Sequence, residues 1–212
     1  MKKLAIIGAS GMGKEAVWIA EEMSIFEEII ILDDKYTTGC KALTKDIVGG
    51  INQAAQYADY YFSIAIGNPR VRQNIYYTLS NLGITNFTNL IHPKAIISKH
   101  ITIGNGNIIG PGAVVSVDVE IGDFNIINNN VTIAHDCTIN NFCSIAPQAT
   151  ISGSVKLESL VEVGAAASIK QGLSMSKGSL LGMGSSLLKN IEKEDKVYVG
   201  SPAKYLKDTG IN

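Results

Sequence analysis

His135 and Asp136 form the only adjacent pair of a histidine and a carboxylate in the second half of the chain. An imidazole takes up and releases protons near neutral pH, so a well-placed histidine can serve as a general base in group transfer. A neighbouring carboxylate stabilises the protonated ring. The alternative is a surface histidine with no catalytic role.

A glycine turn, Gly8-Ala9-Ser10-Gly11-Met12-Gly13, follows the apolar run Leu4–Ile7. Backbone N–H groups at the start of a helix favour an anion such as a diphosphate. The spacing differs from the dinucleotide pattern G-x-G-x-x-G, so the indication of NAD is weak. Asp33 ends a second apolar run and could accept a ribose hydroxyl. A structural turn beside a solvated acidic pair is the alternative.

The elements around this turn alternate between strands and helices. The apolar patterns predict four strands and two helices: strands at Leu4–Ile7, Ile29–Leu32, Tyr61–Ile66 and near Phe87, and helices over Ala16–Met23 and about Arg70–Leu82. This alternation predicts a parallel sheet with crossover helices, a small Rossmann-like α/β domain.

The second half of the chain has a period of six. Apolar side chains occupy sixteen consecutive positions spaced six apart, from Ile97 to Leu187. Neither a helix nor an alternating strand has this period, whereas a coil of three short strands does. Small residues such as Gly104 and Gly122 often follow the aliphatic position and are expected to let the chain turn tightly. The pattern predicts a parallel β-helix, and His92-Pro93 divides the chain into domains at 1–91 and 92–212.

The β-helix geometry argues against a metal ion shared by the histidines. His100 lies nearly two coils before His135, and coils stack at about 4.8 Å, which separates the two by roughly 10 Å. Zinc–nitrogen bonds are only about 2 Å long. No metal site is predicted within one subunit. Cys137 and Cys143 fall on inward positions, so neither is expected to be a nucleophile.

The composition excludes several classes of protein. The 212 residues are 46% hydrophobic and carry a net charge of −1, so there is no general attraction for nucleic acid or an anionic membrane. No apolar run reaches the ~18 residues of a membrane span, and the first ten residues predict a strand rather than a signal peptide. Three cysteines without a C-x-x-C pair predict no disulfide framework and favour the cytoplasm.

Together these motifs resemble one family over almost the whole chain. They are IIGASGMG, ILDD, AIGNPRVR, LIHPKAIIS, the hexapeptides, AHDC and GSPAK. The chain is similar to the sugar acetyltransferases, which include sialic acid O-acetyltransferases and the N-acetyltransferases of nucleotide-linked 4-amino-sugars such as bacillosamine and perosamine. The resemblance implies a left-handed β-helix, a nucleotide-sugar rather than NAD on the N-terminal domain, acetyl-CoA as co-substrate without a metal, and a homotrimer with active sites between subunits.

The resemblance also implies roles for individual residues. The catalytic base falls on His135, Asp136 takes the place of an acidic residue, commonly glutamate, that enhances its basicity, and Asn128 matches a polar active-site position. Two further groups fall on the binding sites: Ser10, Gly11, Met12, Asp33, Asp34, Gly67 and Arg72 for the nucleotide-sugar, and Ser144, Ala165 and Met183 for acetyl-CoA. Relatives often have histidine in place of Met12 and Ser144.

The resemblance implies direct acetyl transfer to the amino group of a nucleotide-linked amino-sugar, with His135 as base. A sugar hydroxyl, as on a sialic acid, is the alternative acceptor, and the sequence does not decide between them. An NAD-dependent oxidoreductase and a non-catalytic binding module belong to other classes. The six-residue repeat and GSPAK argue against the former, and His135 beside Asp136 argues against the latter.

Overall fold

The computed structural model describes residues 2–36 and 38–210. They form two compact units. The first contains the chain up to Pro93 together with Asn105–Ile108, and the second contains Lys94–Gly104 and the chain from Ile109 onward. Within the described ranges, no helix combines the length and the apolar character needed to cross a membrane.

The first unit is an α/β sheet. Its elements in chain order are β1 Lys2–Ile7, α1 Gly11–Met23, β2 Phe26–Leu32, β3 Lys41–Ala42, β4 Lys45–Gly49, a 3-10 helix Ile51–Tyr57, β5 Tyr61–Ile64, α2 Pro69–Asn81 and β6 Leu90–Ile91. Four strands run parallel in the order β4-β2-β1-β5, and β3 is antiparallel to β4 at one edge. The predicted Rossmann-like arrangement is confirmed.

Local sequence explains where these elements begin and end. The central strand β1 is fully buried over Leu4–Ile7, and α1 buries Ala16, Val17, Ile19 and Ala20. Helix α2 begins after Asn68, whose side chain accepts hydrogen bonds from the N–H groups of Arg70 and Val71, with Pro69 at the first helical position.

Two predicted strands of this unit differ from the structure, and two further features were missed. The third strand ends at Ile64 rather than Ile66, and the last backbone hydrogen bond to β1 is the one that the Ala65 N–H donates to the Ile7 carbonyl. Phe87 makes only a single bridge to Phe62 and no strand. The β3–β4 hairpin and the 3-10 helix were not predicted, because the strands are only two and five residues long and the 3-10 segment mixes polar and apolar residues without a clear period.

The second unit is the parallel β-helix that the hexapeptides predict, with the left-handed coil that the resemblance implies. Its strands are β7 Ile96–Ile97, β8 Ile101–Ile103, β9 Ile108–Ile109, β10 Val114–Val115, β11 Val119–Ile121, β12 Ile126–Ile127, β13 Thr132–Ile133, β14 Thr138–Ile139, β15 Ser144–Ile145, β16 Thr150–Ile151, β17 Lys156–Leu157, β18 Glu162–Val163, β19 Ser168–Ile169, β20 Ser174–Met175, β21 Leu180–Leu181, β22 Ser186–Leu187, β23 Lys196–Val199 and β24 Lys204–Asp208. Each coil takes eighteen residues, so that Val115 pairs with Ile133 and Ile133 with Ile151.

The strands stack into three faces. Face one runs β7-β10-β13-β16-β19-β22, face two runs β8-β11-β14-β17-β20, and face three contains β9-β12-β15-β18-β21-β23-β24. The hexapeptide aliphatics from Ile109 to Leu187 are at most 3% exposed and form the core. Ile97 and Ile103, in the first coil, are only half-buried. The six-residue period therefore corresponds to the stacked, buried side chains inside the β-helix.

The chain passes each corner through one residue in the left-handed backbone region. These residues recur every six positions from Gly106 to Gly184, and nine of them are not glycine. A side chain in this region costs roughly 1–2 kcal/mol, which the surrounding ladder of hydrogen bonds must offset. The prediction that glycines such as Gly104 and Gly122 make the turns is wrong. A Cβ at those positions would instead collide with the next coil.

The C-terminal segment is a hairpin rather than a simple tail. Strands β23 and β24 are antiparallel, and GSPAK forms the turn between them. The N–H of Gly200 donates to the Ser185 hydroxyl, and the N–H of Ala203 donates to the Ser186 carbonyl. These bonds join the turn to the last complete coil.

Candidate active site

His135 and Asp136 form one corner of the β-helix, between faces one and two. Asp136 is the left-handed residue there, with φ of 59°, a conformation that Asp tolerates better than most residues. The Asp136 N–H donates to the Val117 carbonyl at 3.3 Å, and the Ser154 N–H donates to the His135 carbonyl at 2.9 Å. The coils before and after thus fix the backbone of both residues.

The two side chains contact each other directly. His135 Nδ1 lies 2.6 Å from Asp136 Oδ2, and the side chains are 51% and 56% exposed. An ionised carboxylate only accepts hydrogen bonds, so in the neutral ring Nδ1 carries the proton. Nε2 then keeps its lone pair. The pair has the geometry of an oriented general base.

Asn128 precedes a different corner, between faces three and one. It follows β12, its N–H donates to the Ile145 carbonyl at 3.0 Å, and its side chain is half-buried. Within residues 2–36 and 38–210, no hydrogen bond joins the Asn128 side chain to His135 or Asp136. The catalytic role that the resemblance implies for Asn128 remains a prediction.

The three residues matched to acetyl-CoA also lie toward the corner between faces three and one. Ser144 is half-buried in β15. Ala165 and Met183 occupy the same position in successive coils, and the Ala165 carbonyl accepts a hydrogen bond from the Gly184 N–H at 2.8 Å. Met183 is 79% exposed, so its thioether faces solvent in the single chain. These residues and His135 therefore occupy different corners of one β-helix.

The two cysteines of the β-helix are buried, as predicted from their inward positions. Each Sγ lies 3.1 Å from a carbonyl oxygen of the next coil, that of Ser152 for Cys137 and that of Glu158 for Cys143. Burial raises the pKa of the Cys137 thiol, and this keeps the sulfur protonated. A buried, protonated thiol is a poor nucleophile.

The glycine turn contains glycines of two kinds. Gly8 has φ of 110°, and a Cβ on Gly13 would overlap the Gly8 carbonyl, so both are needed for the turn and the close approach of α1. A Cβ on Gly11 would meet nothing within 4 Å. Ser10 caps α1 without a side-chain hydrogen bond, and it is exposed, whereas Met12 is half-buried. Gly11 and Ser10 therefore offer open backbone and a hydroxyl at a helix N-terminus.

Asp33 and Asp34 bind backbone groups of neighbouring segments. Asp33 Oδ2 accepts from the Ala9 N–H at 2.7 Å, and Oδ1 accepts from the Lys35 N–H at 2.8 Å. Asp34 Oδ1 accepts from the Ile51 N–H at 2.7 Å. The Asp33 carboxylate holds the glycine turn beside the end of β2. A carboxylate has about four acceptor positions, so each aspartate could still accept from a ligand.

Asp34 also borders a cleft of about 540 Å³ within the first unit. The cleft is lined by Asp34, Ile51, Asn52, Val71, Asn74, Ile75, Thr78 and Leu82. The helix α2 side of this cleft was not among the residues that the sequence singled out. The apolar and amide side chains of α2 could have indicated this cleft, but the sequence pattern identified α2 only as a crossover helix.

Arg72 is a fully buried residue of α2. Its guanidinium donates to the carbonyls of Ile66 and Gly67, the latter at 3.0 Å, and its exposed fraction is zero. Gly67 is exposed, and a Cβ there would meet nothing within 4 Å. Arg72 thus binds the loop after β5 from its buried side, while Gly67 lies on the solvent-exposed side of the same loop.

No cluster of three or more His, Cys, Asp or Glu side chains in the described part of the chain could hold a metal ion.

Comparison with known proteins supports this assignment of the two units. The family model for the PglD N-terminal domain matches residues 3–79, and the model for the bacterial transferase hexapeptide (six repeats) matches residues 118–153. The acetyltransferase domain of PglB from Neisseria gonorrhoeae FA1090, solved with acetyl coenzyme A, is 31% identical over 97% of this chain and 99% of that domain, with a TM-score of 0.89. The chain belongs to the hexapeptide-repeat sugar acetyltransferase family.

Two further relatives extend the comparison. A mutant of perosamine N-acetyltransferase from Caulobacter crescentus, in complex with CoA and GDP-perosamine, shares the fold with a TM-score of 0.91 at 24% identity, over 98% of both chains. UDP-N-acetylbacillosamine N-acetyltransferase of Bacillus subtilis (strain 168) is 36% identical over 109 residues, and the match spans about half of each protein, 50% and 50%. These two relatives are named for different sugars, perosamine and N-acetylbacillosamine.

Proposed function

We propose that this protein transfers the acetyl group of acetyl-CoA to the amino group of a nucleotide-linked amino-sugar. The observation that carries the proposal is the exposed His135 ring with Nδ1 bound to Asp136 at 2.6 Å. The relatives support the substrate class, because two of them are named as N-acetyltransferases of nucleotide-sugars. The cysteines favour the cytoplasm as the compartment.

The proposed mechanism is direct transfer with His135 as the general base. The sugar amine attacks the thioester carbonyl, a C–N bond forms, and His135 Nε2 takes a proton from the amine. The C–S bond then breaks, and the proton passes to the departing CoA sulfur. Backbone N–H groups could stabilise the oxyanion that forms between these steps. Asp136 holds the ring in the tautomer that this step needs.

The acetyl acceptor is tested by product chemistry. The protein is incubated with acetyl-CoA and a panel of nucleotide-linked 4-amino-sugars or sialic acids, with thiol release as the readout. Turnover with an amino-sugar, and a product that resists hydroxylamine as an amide does, is the expected result. A hydroxylamine-labile ester formed only on a sialic acid would assign the chain to O-acetylation instead.

We further propose that the N-terminal unit binds a uridine- or guanosine-diphosphate sugar. The proposed site would include the exposed Ser10, Gly11 and Gly67, half-buried Met12, and the carboxylate oxygens of Asp33 and Asp34, while Arg72 binds carbonyls of the loop after β5. Calorimetry with UDP, GDP and NAD is the direct test. Tight binding of NAD without a response to the diphosphates would overturn this assignment.

We also propose a homotrimer. The side chains that flank the buried aliphatics on face one include a single charged residue, Lys170: Ile96, Ser98, Val114, Ser116, Thr132, Ala134, Thr150, Ser152, Ser168, Lys170, Ser186 and Leu188. Face two instead carries Glu120, Lys156 and Glu158. A surface depleted in charge is typical of the core of an interface. A second subunit would also bring Ser144, Ala165 and Met183 near a His135 corner.

The oligomeric state is measured by light scattering or sedimentation at the concentrations used for assay. A mass of three chains is expected. Lys170→Ala should leave the trimer intact, whereas Thr150→Glu, which places a charge in the middle of face one, should weaken it. A stable, active monomer would contradict the proposal.

A further inference from the structure

Gly153 lies one coil after His135, directly against its imidazole. A Cβ at Gly153 would be 2.7 Å from Cε1, 2.8 Å from Nε2 and 3.2 Å from Nδ1 of the His135 ring. Carbon atoms that are not bonded approach no closer than about 3.5 Å without repulsion. The ring therefore occupies the space that any other side chain at position 153 would need.

The β-helix itself does not require glycine at this position. Gly153 is not among the residues of the left-handed backbone region. The equivalent positions one coil before His135 and one coil after Gly153 are Val117 and Gln171, and both carry a Cβ. In this column, only the coil that follows the histidine lacks a side chain. The His135 imidazole, and not the backbone conformation, is therefore what excludes a side chain at position 153.

Resting on the proposed role of His135, we propose that Gly153 is a positioning residue for the catalytic base. Asp136 holds the ring at Nδ1, while the flat surface of Gly153 limits its tilt toward the next coil. Together they direct Nε2 to one place. The position of the ring thus requires glycine at residue 153, although neither the hexapeptide pattern nor the turn geometry does.

The Gly153→Ala variant tests the proposal. The added methyl group must displace the ring, because the backbone of both coils is fixed by hydrogen bonds and the imidazole is half-exposed. The fold should therefore survive while the base is misplaced. Turnover should fall by about 10- to 100-fold, the scale of a misplacement near 1 Å, with an unchanged KM for acetyl-CoA.

Gly122→Ala is the matched control. Gly122 also has an ordinary backbone conformation. Its Cβ would crowd the next coil as well, against Asn141 Oδ1, which accepts a hydrogen bond from the Asp123 N–H, and 3.2 Å from the backbone carbonyl carbon of Asn140, but it would meet no imidazole. This variant should keep wild-type turnover. Equal losses in both variants would mean that any methyl group between coils disturbs the protein, and this would overturn the proposal.

A double variant separates positioning from a general structural effect. Without the imidazole, the methyl group of Gly153→Ala has no ring to displace. His135→Ala/Gly153→Ala should therefore have the same turnover and thermal stability as His135→Ala alone. A further loss of stability in the double variant would show that Gly153 is needed by the coil itself and would overturn the inference.

Proton and nitrogen NMR of the histidine rings gives a readout that needs no activity. The chain has three histidines, and His135→Ala identifies the signals of His135. Gly153→Ala should shift the Nδ1–H and Nε2 signals of His135 and leave those of His92 and His100 in place. Unchanged His135 signals would contradict the inference. A fully active His135→Ala protein would instead rule out His135 as the base. That outcome is independent of what NMR shows about the packing of the ring against Gly153.

Discussion

The two candidate sites of this protein are built in opposite ways. The corner at His135 joins two residues that are adjacent in the chain, and both side chains are about half exposed. The pocket proposed for the N-terminal unit depends instead on side chains that bind backbone groups. Asp33 binds Ala9 and Asp34 binds Ile51 across 24 and 17 residues of chain, and Arg72 binds the loop at Gly67, five residues before it. A change at the corner should therefore affect chemistry alone, whereas a change in the pocket should affect both binding and folding.

The largest expected effect is on turnover in His135→Ala. If the ring is the general base, turnover should fall by roughly 10²–10⁴-fold while the KM for acetyl-CoA changes little. The free energy of unfolding should stay within about 0.5 kcal/mol of wild type, because the side chain is exposed. Steady-state kinetics and chemical denaturation measure both quantities. A folded, fully active variant would remove His135 from the mechanism.

Arg72→Met is the contrasting change in the N-terminal unit. It leaves the carbonyls of Ile66 and Gly67 without the donors they have now, so the free energy of unfolding should fall by roughly 1–3 kcal/mol. Affinity for the nucleotide-sugar should fall as well, because the loop is no longer held. Denaturation and calorimetry are the measurements, and Arg70→Ala on the same helix is the control. Lost affinity with unchanged stability would instead indicate direct contact with the ligand.

Asp136→Asn should have a smaller effect on turnover than His135→Ala. The amide can still accept from Nδ1, but a bond to a charged acceptor exceeds a neutral one by about 1 kcal/mol, which corresponds to a roughly fivefold to tenfold loss. The left-handed backbone is kept, since Asn tolerates it as Asp does. A loss as large as that of His135→Ala would mean that the carboxylate itself takes part in the reaction.

The smallest expected effect on activity comes from blocking the cysteines. Cys40 is exposed, whereas Cys137 and Cys143 are buried, and burial raises the pKa of the Cys137 thiol. A thiol reagent near pH 8 should modify one cysteine in the native protein and all three in denaturant, with activity retained after the first. Mass spectrometry counts the modified residues. Rapid labelling of Cys137 in the native protein, with loss of turnover, would indicate that this thiol takes part in the reaction.

The sequence predicted those features that depend on neighbours in the chain or on a fixed period. The six-residue spacing identified the aliphatic core, because every coil repeats the same inward position. Strand, turn and helix around Gly8–Gly13 could be predicted because their signals are local. The β3–β4 hairpin could not, since its strands are only two and five residues long and form by pairing with each other and, for β4, with β2. The left-handed residue at each corner escaped prediction because Phe124 or Leu160 gives no sign of that conformation.

By itself, then, the sequence determined the β-helix, the Rossmann-like unit, and the pairing of His135 with Asp136, since all three follow from periodicity or adjacency. The tertiary structure alone decided that Arg72 points inward to carbonyls, that Asp33 holds the glycine turn, and that Gly153 lies beneath the imidazole. Residues 153 and 135 are one coil apart in space only because the chain turns three corners between them. Contacts of this kind depend on the stacking of coils, which no local pattern of residues specifies.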